Sequence, residues 1–106
     1  MAAYAIDGWT ALGDPTRRTI FERVVASPRS VGELASGLPI SRPAVSQHLK
    51  VLKQAGLVVV QRVGNRSIYE VDREGLAALR TEIDRYWTDT LAGYALAVEQ
   101  HQQESP

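Results

Sequence analysis

Ser41-Arg-Pro-Ala-Val-Ser-Gln-His-Leu-Lys-Val-Leu-Lys-Gln-Ala-Gly-Leu57 reads as one short helix with two opposed faces. Turned at about 100° per residue, Val45, Leu49 and Leu52 cluster within about 60° and must face a core. Arg42, Ser46, Lys50 and Lys53, with Gln47 and Gln54 beside them, take the opposite arc, and no carboxylate occurs between Ser41 and Gln61. Ser41 supplies the N-cap, Pro43 is tolerated in the first turn, and Gly56 is placed to end the helix in the left-handed conformation.

Upstream, Asp14-Pro15 reads as an N-cap followed by proline at the first helical position. That helix carries Ile20, Phe21, Val24 and Val25 as one stripe and stops before Ser27-Pro28. Ser30-Val-Gly-Glu33 is a capping box opening a short helix with Leu34 and Ala35, closed by Gly37. Before all of these, Tyr4, Ile6, Trp9 and Leu12 supply apolar groups to a short helical or irregular segment. Two short helices joined by a tight turn, the second being the amphipathic 42–55, form the helix-turn-helix pattern.

Downstream the period changes to two. Residues 57–62 and 67–71 are rich in Val, Ile and Tyr and flank Val63-Gly-Asn-Arg66, a hairpin signal. Val58, Val60, Tyr69 and Val71 give the ribbon a face to bury, while Arg62, Asn65 and Arg66 surround its turn. Asp72 can cap a final helix over 73–98, about 37 Å long, with Leu76, Leu79, Ile83, Tyr86, Trp87, Leu91, Tyr94 and Val98 along one broad stripe. The expected architecture is mostly α with a two-stranded β wing, a winged helix-turn-helix that dimerises through its terminal helices. One domain is expected over 1–101, with the helical core and helix-turn-helix in 14–56, the wing in 57–71, the dimerisation helix in 73–98, and a disordered tail at 102–106.

Charge is partitioned along this order. The formal net charge is 0, yet residues 41–73 carry six bases against two acids, +4, and residues 74–106 carry two bases against six acids, −4. The middle faces a polyanion and the end faces elsewhere. Lysine and arginine contact phosphate or guanine, glutamine pairs with adenine, and serine bonds to either edge, so the arc from Ser41 to Lys50 suits a major groove. A solvated helix face is the competing reading, and the basic hairpin that follows argues against it, because a narrow cationic tip can lie on phosphates or enter a minor groove.

The chain resembles the ArsR family of bacterial transcriptional repressors. Ala11-Leu-Gly-Asp-Pro-Thr-Arg-Arg-Thr-Ile20, Val31-Gly-Glu-Leu-Ala35, the stretch 41–57 and the Gly64-Asn-Arg wing carry the likeness, which spans residues 9–98. It implies a homodimeric winged helix that binds double-stranded operator DNA and represses its own operon. By motif matching, Ser46 and Gln47 fall where the family reads bases, and Arg42 and Lys50 fall where it contacts the groove or phosphates. Arg62, Asn65 and Arg66 belong to the wing. His48, beside Ala44 and Val51 at the flank of the buried stripe, is read as packing or a phosphate contact rather than a base reader. Trp9, Leu79, Ile83, Tyr86, Trp87, Leu91 and Tyr94 are expected in the dimer interface.

Other function classes fit less well. There is no cysteine, which excludes disulfides and thiolate chemistry and leans toward the cytoplasm. The family's arsenic and cadmium sensors carry paired cysteines where 30–38 has neither cysteine nor histidine. Its zinc, nickel and cobalt sensors place Asp and His ligands along the final helix, where this chain offers Asp84 and Asp89 around Arg85, Tyr86 and Trp87. Carboxylates alone suit borderline metals poorly, so no metal and no cofactor are expected, and the likeness is to the metal-independent branch. Whether a small molecule acts at the aromatic interface is left open. No run is long and apolar enough for a membrane span, so no membrane partner is expected. Catalysis is rejected: His48 lies about 160° around the helix from Ser46, too far to serve as its base. A winged-helix protein-interaction module is the alternative, favoured by a pI near 6.7 and opposed by the acid-free arc and arginine-bearing wing.

Overall fold

Helix starts in this chain are made by side-chain oxygens facing otherwise unpartnered N–H groups. The computed structural model describes residues 7–104; Tyr4 and Ile6, expected at the apolar start, lie outside the described residues. Helix α1 (Gly8–Gly13) is capped by the Asp7 carboxylate, which accepts from the Thr10 N–H at 2.7 Å. Helix α2 (Pro15–Ala26) is capped by Asp14, which accepts from the Arg17 N–H at 2.8 Å, with Pro15 in its first turn. The carbonyls left over at the end of α1 are taken by α2. Arg17 Nε donates to Ala11 O at 2.8 Å and Arg18 Nε to Leu12 O at 2.9 Å.

After Ser27 the chain makes a two-residue strand, β1 (Arg29–Ser30), and enters helix α3 (Val31–Ser36) through the expected capping box. Ser30 Oγ accepts from the Glu33 N–H at 3.2 Å, and Glu33 Oε1 accepts from the Ser30 N–H at 2.9 Å. Helix α4 (Arg42–Gln54) follows, capped by Ser41. Its end is a Schellman motif: Gly56 adopts φ +76°, its N–H donates to Lys53 O, and the Leu57 N–H donates to Leu52 O, each at 3.0 Å.

Strands β2 (Val58–Val63) and β3 (Arg66–Val71) form the hairpin, with Val63 opposite Arg66 and a two-residue turn between them. Gly64 at the first turn position has φ +62° and Asn65 has no positive φ, the pattern of a type II′ turn whose twist suits adjoining strands. Val58 faces Val71 and Val60 faces Tyr69, so the expected apolar face is assembled by direct cross-strand pairs. The sheet has three strands rather than the expected two. Its order is β1-β3-β2, all antiparallel, with Arg29 opposite Tyr69 and Ser30 opposite Ile68. A two-residue strand has too little sequence to show a period, and its pairing is long-range.

Ile20, Phe21, Val24, Leu34, Val45, Leu49, Leu52, Leu57 and Val58 form the buried core. Each such aliphatic or aromatic side chain contributes about 1.5–3 kcal/mol by leaving water. Asp72 Oδ1 accepts from the N–H groups of Glu74 and Gly75, at 3.1 and 3.2 Å, and starts helix α5 (Arg73–Glu104). Two compact units divide the chain, one ending at Leu76 and the other beginning at Ala77, so the second consists of most of α5. That helix passes the expected end at Val98 and includes 102–104. The apolar period stops at Val98, but residues 99–104 contain no glycine or proline and are mostly Glu and Gln, which favour a helix.

Candidate nucleic-acid interface

Helices α3 and α4, joined by 37–41, are the helix-turn-helix, and α4 presents the face that its sequence promises. Val45, Leu49 and Leu52 are fully buried, whereas Ser41, Arg42, Ser46, Gln47, Lys50, Lys53 and Gln54 are all exposed. Ser41 Oγ accepts from the Ala44 N–H at 3.3 Å, so the hydroxyl serves first as the cap. Ser46, Gln47 and Lys50 make no hydrogen bond through their side chains among the described residues, which leaves their donors and acceptors available to base edges and phosphates.

Half-buried His48 turns toward the start of α2. The Asp14 carboxyl is held below the ordinary 3.8 mainly by the Arg17 N–H, with the charges of Arg17 and His48 adding to it. His48 is therefore close to the cap of α2, on the packing side of α4.

The wing divides its cations between two places. Arg62 Nε donates to Gly64 O at 3.4 Å, and Asn65 stands exposed in the turn. Arg66 reaches back instead: its Nη2 donates to Ser30 Oγ and to Glu33 Oε1, both at 2.9 Å. The capping box of α3 thus doubles as the anchor of the wing. The Glu33 carboxyl is held below its ordinary 4.5 by the Ser30 hydrogen bonds first and by the charges of Arg66 and Arg29 after them. With the two side chains 60% and 53% exposed, the ion pair is largely screened by solvent, so its importance lies in where it holds the guanidinium. Sequence reasoning placed Arg66 on the wing and missed this partner, 33 residues away. The only signal was that the capping carboxylate is opposite in sign to the wing.

Arg42 meets the same region from the other side. Its guanidinium lies over Gly32, where a Cβ atom would come within 2.9 Å of Arg42 Nη2. Arg42 and Arg66 consequently line one cleft with Ser30, Glu33 and Ser67, while Arg62 and Asn65 remain at the hairpin tip.

Trp9 of α1 is 39% exposed, and Leu79 of α5 is buried within the single chain. Ile83, Tyr86, Trp87, Leu91 and Tyr94 are exposed by half or more. With Leu79 they span about 140° of the helix, and Glu82, Asp84, Asp89 and Glu99 fall outside that arc. Asp84 pairs with Arg80 across one turn, Nε to Oδ2 at 4.0 Å. Among the described residues no three His, Asp or Glu side chains gather as a metal site, and no helix is long and apolar enough to cross a membrane.

A family model for a helix-turn-helix domain matches residues 12–61. The HTH-type transcriptional regulator Rv2034 of Mycobacterium tuberculosis is 58% identical over 91 residues, covering 86% of this chain and 85% of that protein. Among solved structures, an ArsR-like transcriptional regulator from Rhodococcus sp. RHA1 superimposes with a TM-score of 0.76 at 30% identity, covering 87% of this chain and 86% of the other. The homodimeric winged helix-turn-helix DNA-binding domain of Mb0332 from Mycobacterium bovis does so with a TM-score of 0.62 at 26% identity, covering 76% and 75%.

Proposed function

This chain belongs to the ArsR family of winged helix-turn-helix transcriptional regulators, and from that premise we propose a homodimeric repressor of an inverted-repeat operator, its own promoter included. The observation that carries the reading is the exposed, acid-free arc of α4, Arg42 through Lys50, beside a basic hairpin. Ser46 and Gln47 read base edges in the major groove; Arg42 and Lys50 meet groove or phosphate; Arg62, Asn65 and Arg66 serve the wing. The partner is double-stranded DNA, so the protein works in the cytoplasm and acts by binding, without catalysis.

The homodimer is supported by the exposed stripe of α5 together with the homodimeric relative from M. bovis. Twofold symmetry would present two copies of α4 to a palindromic site. Control is metal-independent in this reading, because the chain has no cysteine and 30–38 no histidine. Protein concentration through autorepression, or a small molecule at the aromatic face of α5, would set occupancy.

The test compares Gln47→Ala with Lys50→Ala on the preferred operator and on random duplex. Gln47→Ala should cost about 1–3 kcal/mol on the operator and relax preference at one position per half-site. Lys50→Ala should weaken both duplexes alike and flatten the salt dependence. Equal, sequence-independent losses for the two variants would remove Gln47 as a reader, and no loss for either would favour the protein-interaction module.

A further inference from the structure

A cleft of about 490 Å³ opens between the first turn of α3, the start of α4 and the first residues of β3. Two guanidinium groups, Arg42 and Arg66, and one carboxylate, Glu33, line it, with Ser30, Gly32 and Ser67 between them. Arg66 spends only Nη2 on Ser30 and Glu33; its Nε and Nη1 make no hydrogen bond among the described residues. The Arg42 side chain has no hydrogen bond or ion pair among the described residues, and its guanidinium occupies the room left by the missing side chain of Gly32. The lining is therefore net positive by one charge, in two forked donors whose geometry matches phosphate oxygens.

We propose that this cleft is a seat for one DNA phosphodiester, and that Glu33 is its internal competitor. The proposal rests on the operator-binding reading, since Arg42 opens the helix assigned to the groove and a duplex lying there brings its backbone to the cleft. A phosphate entering the seat gains Arg42 and the unspent donors of Arg66. It also comes close to the Glu33 carboxylate, well within the screening length of about 8 Å at physiological salt. Glu33 thus lowers the affinity for any duplex while it holds Arg66 at the mouth of the seat.

Glu33→Gln tests this without dismantling α3, because glutamine also completes a capping box; its melting temperature at neutral pH should fall only slightly, by the share of the stabilisation that the carboxylate charge supplies. The variant should bind operator and random duplex more tightly, by about 2–5-fold per seat, compounded over the two seats of a dimer. Its log–log salt slope should steepen by up to about 0.9 per seat. In an Arg42→Ala, Arg66→Ala background, where no guanidinium is left to hold a phosphate in the cleft, the same Glu33→Gln change should produce no gain. A gain that persists there would be a general effect of removing negative charge and would overturn the seat, as would no gain from Glu33→Gln in a protein that binds its operator. Replacing chloride by inorganic phosphate at equal ionic strength should leave the gain intact; its loss would assign the cleft to free phosphate and overturn the assignment to DNA. Failure of the wild-type protein to bind any duplex would instead remove the operator reading, and the seat with it.

Discussion

A Cβ atom on Gly75 would fall on the carbonyl oxygen of Gly56. The first turn of α5 is packed directly on the left-handed turn that ends α4, and two glycines permit it: Gly56 by adopting φ +76°, Gly75 by having no side chain. Gly75→Ala must push the two turns apart and should lower stability by about 1–3 kcal/mol, the usual cost of overpacking, seen as a lower melting temperature; an unchanged one would contradict the packing. The carboxylates of Asp7, Asp14 and Glu33 define a second residue-scale expectation. All three are held below their ordinary values by the N–H groups that they cap. A carboxylate whose folded pKa is depressed adds stability above its unfolded pKa and loses it as pH falls through the folded one. Thermal stability should therefore decline as pH drops below about 4.5, the ordinary glutamate value, and Glu33→Gln should remove part of that decline. Caps of this kind were legible in the sequence, because each is settled within four residues. The contact between Gly75 and Gly56 was not: a glycine needed for close approach looks like any other until the chain has folded. Nor was Arg66 on Glu33, which depends on the register of β3 against β1.

Among the elements, α5 carries the largest unmet apolar surface. Its 32 residues make a rod of about 48 Å, and Ile83, Tyr86, Trp87, Leu91 and Tyr94 are 50–70% exposed in the single chain. A contiguous apolar stripe of this kind marks an interaction surface, and the proposed dimer gives it an occupant. Trp87→Glu or Tyr94→Glu should each cost about 2 kcal/mol or more, as buried aromatic anchors do, and twofold symmetry applies the change twice. Sedimentation at micromolar protein should then show monomers, with operator affinity reduced in parallel. A dimer of undiminished stability would move the interface elsewhere. The stripe itself was legible as a helical period of large apolar residues. Its end was not, since polar helix formers prolong α5 after the apolar signal has ceased at Val98. Strand β1 was hidden for the opposite reason: two residues show no alternation, and the β3 edge that pairs with them lies about forty residues later in the chain.

For the molecule as a whole, charge and topology agree. The six bases of 41–73 fall on the helix-turn-helix, the wing and the start of α5, and the six acids of 74–106 fall on α5, with Glu82, Asp84, Asp89 and Glu99 outside its apolar arc. The chain has no cysteine to hold soft metals. Stoichiometric zinc, nickel, cadmium or arsenite should accordingly leave operator affinity unchanged, whereas a metal-responsive regulator would couple the two by about 1–3 kcal/mol, or 5–150-fold. A saturable loss of that size at one ion per protomer or per dimer would show that carboxylates and the two histidines suffice as ligands. The proposal of a dimeric reader is exposed most fully by selecting bound duplexes from a random library and sequencing them. An imperfect inverted repeat should emerge, with half-sites about 34–36 Å apart, one turn of the double helix; a single unpaired motif, or no enrichment at all, would contradict it.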